Sequence, residues 1–202
     1  RGLGDVYKRQ RYDYVLADGN KEFVKELCQY HVSGQLKVAP EHVVKHVTDL
    51  MGKADVNAFL TFKDWFDEAN RELGKKQYLV PYFMSSHPGC TLKDAVSLAE
   101  FLRDMHMQPE QVQDFIPTPG SLSTAMYYTG INPLTGQKVY VARKAEEKQM
   151  QRALMQYKNP ANYDIVYKAL CLTGRRDLIG YGPKCLVAPR RHSRPVSYTH
   201  LR

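Results

Sequence analysis

The sequence predicts an α/β fold of parallel strands alternating with helices, arranged as a half-barrel or a small open sheet. Three observations carry this expectation. Short runs rich in β-branched and aromatic residues end in polar tips punctuated by Pro and Gly, as QYLVPYFMSSHPGCT does at 77–91. Between these runs, apolar residues recur at helical spacing. Strands that alternate with helices imply βαβ units, whose crossovers are almost always right-handed.

Taken in order, RYDYVLA (11–17) has strand composition, and Asp18-Gly19-Asn20 is turn chemistry. From residue 20 to about 32, Phe23, Leu27 and Tyr30 recur at helical spacing with Val24 and Cys28 beside them, and Gly34 ends that helix. Residues 35–39 form a short second strand with Pro40-Glu41-His42 as its tip. A helix over 41–51 follows. A longer one over 57–73 carries Phe59, Phe62, Phe66, Ala69 and Leu73, with Gly74 as the residue that closes it. Trp65 belongs to the same core-facing cluster. The third strand, 78–84, is bounded by Ser85-Ser86-His87-Pro88-Gly89. Thr91 and Asp94 then resemble a capping box for a helix over 91–106. QVQDFI (111–116) is the fourth strand, closed by Pro117-Thr118-Pro119-Gly120. Beyond Gly120 the rhythm breaks. Residues 121–137 read as a Ser/Thr/Gly/Pro-rich loop with a Tyr127-Tyr128 pair. Helices at 143–157 and 160–173 and a coil over 178–189 then pack back on the body. The expected organisation is one domain with a C-terminal helical extension.

Composition narrows the function classes. With 202 residues and 43% hydrophobic content, the chain is long enough for a real core. No apolar run approaches the ~20 residues of a membrane span, and residues 1–10 lack the apolar segment of a signal peptide. Cys28, Cys90, Cys171 and Cys185 are scattered, so reduced thiols in a cytoplasm are expected rather than a disulfide framework. The formal net charge of +8 sits mostly at the ends: residues 1–10 carry +2 and 190–202 carry +4, which leaves +2 on 11–189. The segments DVYKRQ (5–10) and PVSYTHL (195–201) resemble translated adapter sequence. The tails 1–10 and 190–202 are therefore excluded from fold reasoning. The near-neutral body argues against a nucleic-acid partner.

The candidate chemistry lies at the strand tips, where α/β sheets and barrels place their sites. His42 and His46, four apart on an expected helix, could share a metal, but no third ligand is apparent. His87 and Cys90 have the spacing of a thiol and its base, or of a pair of metal ligands short of a full set. Glu41, at a strand end, could accept from two hydroxyls, and it would equally favour the N-terminus of the following helix. Tyr127 and Tyr128 could stack a base or simply pack a loop onto the body. P-loop, GxGxxG, GxSxG and HExxH motifs are absent from the sequence.

Together, LKVAPEH (36–42), YLVPYFMSSHPGCT (78–91), QVQDFIPTPGSLSTAMYYTGINP (111–133) and GRRDLIGYG (174–182) resemble the radical S-adenosylmethionine (radical SAM) proteins of the YgiQ family. The resemblance runs from about residue 11 to 189. It implies the C-terminal half of a partial (β/α) barrel over 11–120 and a family-specific C-terminal helical extension over 121–189. In the parent, a CxxxCxxC loop would hold a four-iron four-sulfur cluster with one iron open to S-adenosylmethionine. That motif is absent here, so the resemblance implies a fragment that retains the nucleoside-side strands without the cluster ligands, inactive alone. Glu41 and His42 would meet the ribose or methionyl group, Ser85 and His87 (with Ser86) the adenosine, and Pro117 and Thr118 (after Ile116) the adenine. The glycine-patterned fifth-strand motif of many such enzymes is replaced by Pro81 and His87-Pro88-Gly89. Implied partners are an unknown substrate and an electron donor such as a flavodoxin or ferredoxin, with no membrane. Two alternatives of other classes are a nucleic-acid-binding module, suggested by the basic pI and the paired Tyr127 and Tyr128, and a metal-dependent barrel hydrolase or lyase using His42, His46, His87 and Cys90.

Overall fold

The first element, α1 (Tyr12–Asp18), is a helix where strand composition predicted a strand. The reason is spacing: Tyr12, Val15 and Leu16 fall on one helical face, and that face packs on the next long helix. Tyr12 is 4% exposed, with its ring 6.1 Å from Phe59 and 5.7 Å from Phe62. The computed structural model describes residues 12–109 and 112–190. The adapter-like reading of 1–10 and of most of 190–202, and the first residue of the expected fourth strand, lie outside the described residues.

Helix α2 (Lys21–Glu26) is capped by Asn20, whose side chain accepts from the Glu22 amide. It runs on as one π-helical turn, Leu27–His31. Val24, Leu27 and Cys28 are buried, whereas Phe23 and Tyr30, expected on the inner face, are exposed. Strand β1 (Gln35–Glu41) alternates strictly: Leu36, Val38 and Pro40 face the helices, and Lys37, Ala39 and Glu41 face the other way. Helix α3 (Lys45–Met51) starts later than expected. Glu41 has φ 63°, and the His42 amide donates to the Pro40 carbonyl in a tight turn, so neither residue is helical. Helix α4 (Val56–Leu73) is capped by Asp55 and closed by left-handed Gly74, and it buries Phe59, Phe62, Phe66 and Ala69 against β1.

Strand β2 (Tyr78–Ser85) pairs in parallel with β1, Leu36 opposite Leu79, and with β3 (Val112–Asp114), Ser85 opposite Asp114. The described sheet therefore has three strands in the order β1-β2-β3, rather than the expected four, because the first of the four is a helix. Helix α5 (Leu92–Asp104) connects β2 to β3 and opens with the complete Thr91/Asp94 capping box.

Helix α6 (Leu122–Thr129) replaces the expected loop. Ser121 caps it by accepting from the Thr124 amide, and Met126 anchors it in the core. The Ser/Thr content that suggested a loop is thus partly a cap. Helix α7 (Ala145–Met155) and helix α8 (Tyr163–Leu172) bury Met150, Leu154, Val166 and Leu170 with Ala95, Val96 and Ala99 of α5. The tail folds back as expected. Leu178, Leu186 and Val187 join that cluster, Ile179 bridges Val187, and Arg175 grips both oxygens of Glu100 at 2.7 and 2.8 Å. Among the described residues, no helix is long and apolar enough to cross a membrane.

Candidate functional site

The C-terminal ends of β1 and β2 share an uncommon backbone device. Glu41 and Ser86 are both non-glycine residues in the left-handed region, at φ 63° and 61°. Such conformations are held only where surrounding contacts enforce them, and they concentrate at functional sites. At β2 the enforcement comes from Gln151 of α7, fully buried. Its amide oxygen accepts from the Ser86 N–H at 3.0 Å, and its amide nitrogen donates to the Cys90 carbonyl at 3.1 Å. One side chain thus spans the whole SSHPGC loop. Gly89 completes the loop at φ 94°, where a Cβ would sit 2.2 Å from the Leu50 Cδ1, and its amide donates to the Tyr140 carbonyl at 2.7 Å. Ser86 itself is 2% exposed, and its hydroxyl has no partner among the described residues. A buried hydroxyl without a partner is costly.

The other expected site residues divide. Ser85 is occupied: its hydroxyl donates to Asp114 Oδ1 at 2.5 Å, and Arg152 holds Asp114 Oδ2 at 2.8 Å. His42 is 1% exposed. Its Nδ1 accepts from the Val44 amide at 3.1 Å, so the proton lies on Nε2, which points at Cys90 Sγ at 3.5 Å. Burial pushes its pKa down to about 4, against an upward pull from Asp94, while His46 and His87 push it further down. His42 is therefore a neutral packing residue whose two nitrogens are both engaged. His87 is equally committed. Its Nδ1 donates to the Pro88 carbonyl at 2.7 Å, which leaves Nε2 to accept from Ser123 Oγ at 2.8 Å, and burial lowers its pKa.

These bonds undo the metal and thiol readings. His46 turns to Asp94 at 3.2 Å on the surface, away from His42, because His42 precedes α3 rather than lying on it. Cys90 meets His42 and not His87, and its thiol is 1% exposed with its pKa pushed up by burial. A protonated, solvent-excluded thiol is a poor nucleophile.

Glu41 is the expected residue that stays open. Its carboxylate pairs with Lys53 at 3.1 Å, and its side chain lines a cleft of about 360 Å³ with Lys37, Tyr82, Met84 and Gln113. Pro117 and Thr118 do not line that cleft. The Thr118 carbonyl accepts from Ser121 Oγ and Thr124 Oγ1, so the pair serves to join β3 to α6. The chain can thus offer a ligand one carboxylate with an adjacent ammonium at the β1 tip, whereas the unpartnered Ser86 hydroxyl at the β2 tip is buried and does not line that cleft. Sequence reasoning missed Gln151, Lys53, Ser123 and Asp114. The one available signal was a Gln inside the apolar stripe Met150, Ala153, Leu154 of α7.

Residues 110–199 match the profile of a domain of unknown function, DUF3362. A UPF0313 protein of Clostridium perfringens is 58% identical over 188 residues, covering 92% of this chain and 28% of the relative. One from Methanocella arvoryzae is 58% identical over 190 residues, covering 94% and 32%. A third, from Clostridium botulinum, is 56% identical over 177 residues, covering 88% and 28%. The chain spans less than a third of the length of these relatives.

Proposed function

Because the chain belongs to the UPF0313, or YgiQ, family, we propose that it supplies the nucleoside-holding strands of a radical S-adenosylmethionine enzyme. In this reading the described sheet is part of a partial (β/α) barrel, and the cluster-binding loop belongs to the part of the longer relatives that this chain does not match. One observation carries the reading: two adjacent parallel strands end in left-handed Glu41 and Ser86, with the Ser86 hydroxyl buried and unpartnered. A ribosyl or methionyl group would satisfy that hydroxyl only by reaching past the cleft wall to the buried β2 tip. Glu41 would accept from ribose hydroxyls or from the methionyl ammonium, with Lys53 holding the carboxylate in place. Gln151 would hold the tip rigid.

His42, Ser85, His87, Pro117 and Thr118 act in this reading as framework, since their polar groups are engaged within the protein or lie away from the cleft. The four cysteines of this chain do not fit a cluster: they are spread over four segments with no CxxxCxxC spacing. When bound beside a reduced cluster, S-adenosylmethionine supplies a one-electron route to hydrogen abstraction from a substrate. The substrate is unassigned, and the electron would come from a flavodoxin or ferredoxin. The free thiols fit a reducing, cytoplasmic setting.

The test is binding. S-adenosylmethionine titrated into this chain should shift backbone NMR signals around Glu41 and Ser86, and Glu41→Gln should weaken the binding about tenfold, the cost of a charge-assisted pair. Signal changes elsewhere, or none at saturating ligand, would overturn the reading. In parallel, iron and sulfide should produce a visible charge-transfer band with a longer family member.

A further inference from the structure

The first exposed groups beyond the strand tips form a second cluster that the cofactor reading does not use. Tyr127 of α6 carries two cations. The Arg143 guanidinium lies 5.0 Å from its ring centroid, and Lys148 Nζ lies 5.0 Å from the same centroid while donating to its hydroxyl at 2.9 Å. Arg143 also donates one Nη2 bond to the Tyr128 carbonyl at 3.1 Å, which leaves the rest of its fork open. Unlike Arg152 and Arg175, neither Arg143 nor Lys148 has an ion-pair partner among the described residues. A cation held by a ring rather than by a carboxylate keeps its charge for an incoming anion.

The local charge supports the same conclusion. The sequence holds no Asp or Glu between Asp114 and Glu146, whereas Lys138, Arg143 and Lys144 fall in that interval. The two nearest acids are engaged, Glu146 by Lys168 and Glu147 by the Tyr140 hydroxyl. Residues 115–145 thus carry basic side chains and no acid. Beside it, Tyr128 stands edge-on to Tyr127 at 5.3 Å and is 68% exposed, offering an open ring face.

The cluster is fixed from three sides. Ala142, next to Arg143, is fully buried, and the nearby Tyr140 carbonyl is tied to Gly89 of the β2 tip. Lys148 and Gln151 lie three residues apart on one face of α7, so the Gln151 clamp also sets Lys148. Tyr127 continues inward through Phe115, at 5.7 Å, to His87, at 5.1 Å from Phe115.

We propose that Arg143, Lys148, Tyr127 and Tyr128 bind a nucleotide unit, with its phosphate between the two cations and its base on the Tyr128 ring. The unit is either free or part of a single strand, and both present the same phosphate and base. The assignment uses none of the residues assigned to S-adenosylmethionine, so its failure leaves that reading standing.

The experiment measures binding of fluorescein-labelled oligouridylate by anisotropy and of AMP by calorimetry, using the full 202-residue chain. The basic ends are common to every variant, so differences report the cluster. Arg143→Gln/Lys148→Gln should weaken binding at least about tenfold and lower the salt slope for the oligonucleotide by about 1.4, the value for two lost phosphate contacts to a single strand. Tyr128→Ala should weaken it about fivefold or more through lost stacking. Arg143→Lys/Lys148→Arg, which keeps the charge, should recover most of the affinity. Tighter binding of the oligonucleotide than of AMP identifies a strand, and equal binding identifies a free nucleotide; both support the site. Unchanged affinity in the folded double variant overturns it. Inorganic phosphate competing as well as AMP, with Tyr128→Ala silent, overturns the nucleotide assignment.

Discussion

At the scale of single residues, the histidines best show how burial decides chemistry. His42 reads in sequence as a ligand, yet its burial and two protein hydrogen bonds make it a neutral structural group with a pKa of about 4. The consequence for stability has a definite sign. In the unfolded chain the imidazole titrates near 6.5. Between those two values the unfolded state takes up a proton that the native state refuses, so stability rises with pH across that window and is lost as pH falls from 6.5 to 4. The loss should be about 3 kcal/mol, since a tenfold difference in proton affinity between the two states is worth about 1.4 kcal/mol. Buried His87, whose pKa is also lowered, adds to it in the same direction. Urea midpoints at about pH 7 and about pH 4.5 measure the effect, and His42→Gln should flatten most of it. An acid profile identical in the variant would show that another group titrates. Sequence alone named His42, Ser85 and His87 as polar residues at tips, which they are. It could not tell that their donors and acceptors are spent internally, because Val44, Asp114 and Ser123 reach them through turns and tertiary contacts.

At the scale of elements, what sequence makes legible is what local chemistry decides. The Thr91/Asp94 box, the Gly74 closure and the phenylalanine face of α4 are all present as their spacing predicts. The failures occur where composition and spacing disagree. Residues 12–18 have strand composition but helical spacing, and spacing wins because α4 offers a face to bury Tyr12. Before 122–129 a serine that suggested a loop, Ser121, is a cap. Gln151 was invisible because its role exists only after α7 docks on the β2 tip. There it pairs two backbone groups of the β2 tip. Gln151→Ala would strand the Ser86 N–H and the Cys90 carbonyl in a dry interior. At about 1–3 kcal/mol per unpaired group, the variant should lose about 2–6 kcal/mol in urea unfolding. A loss below about 1 kcal/mol would mean that water replaces the amide and that the Ser86 backbone is not held by α7.

At the scale of the whole molecule, the sheet is asymmetric. One face of β1 and β2 lies on the helices, with Leu36, Val38 and Phe83 buried. The other presents Lys37, Ala39, Tyr82, Met84 and Gln113 around a cleft, half-buried at best. Parallel sheets are normally covered on both faces, and strand edges are normally paired or protected. Among the described residues β1 pairs only with β2, so its outer edge and the open face coincide. Pro40 and Lys37 on that strand are the kinds of residue that blunt an exposed edge, and they also suit the wall of a ligand-filled interior. The relatives are more than three times as long as the segment they share with this chain, so they have ample sequence to cover both. If that sequence closes the sheet, amide exchange should report it. The β1 amides of residues 35–41 should exchange at least about tenfold more slowly in a longer family member than in this chain, the protection gained when an edge is paired. The α4 amides, whose bonds are internal to the helix, should change little. Equal β1 protection in both proteins would mean that the edge stays free in the longer protein too, and the half-barrel interpretation would give way to a small open sheet.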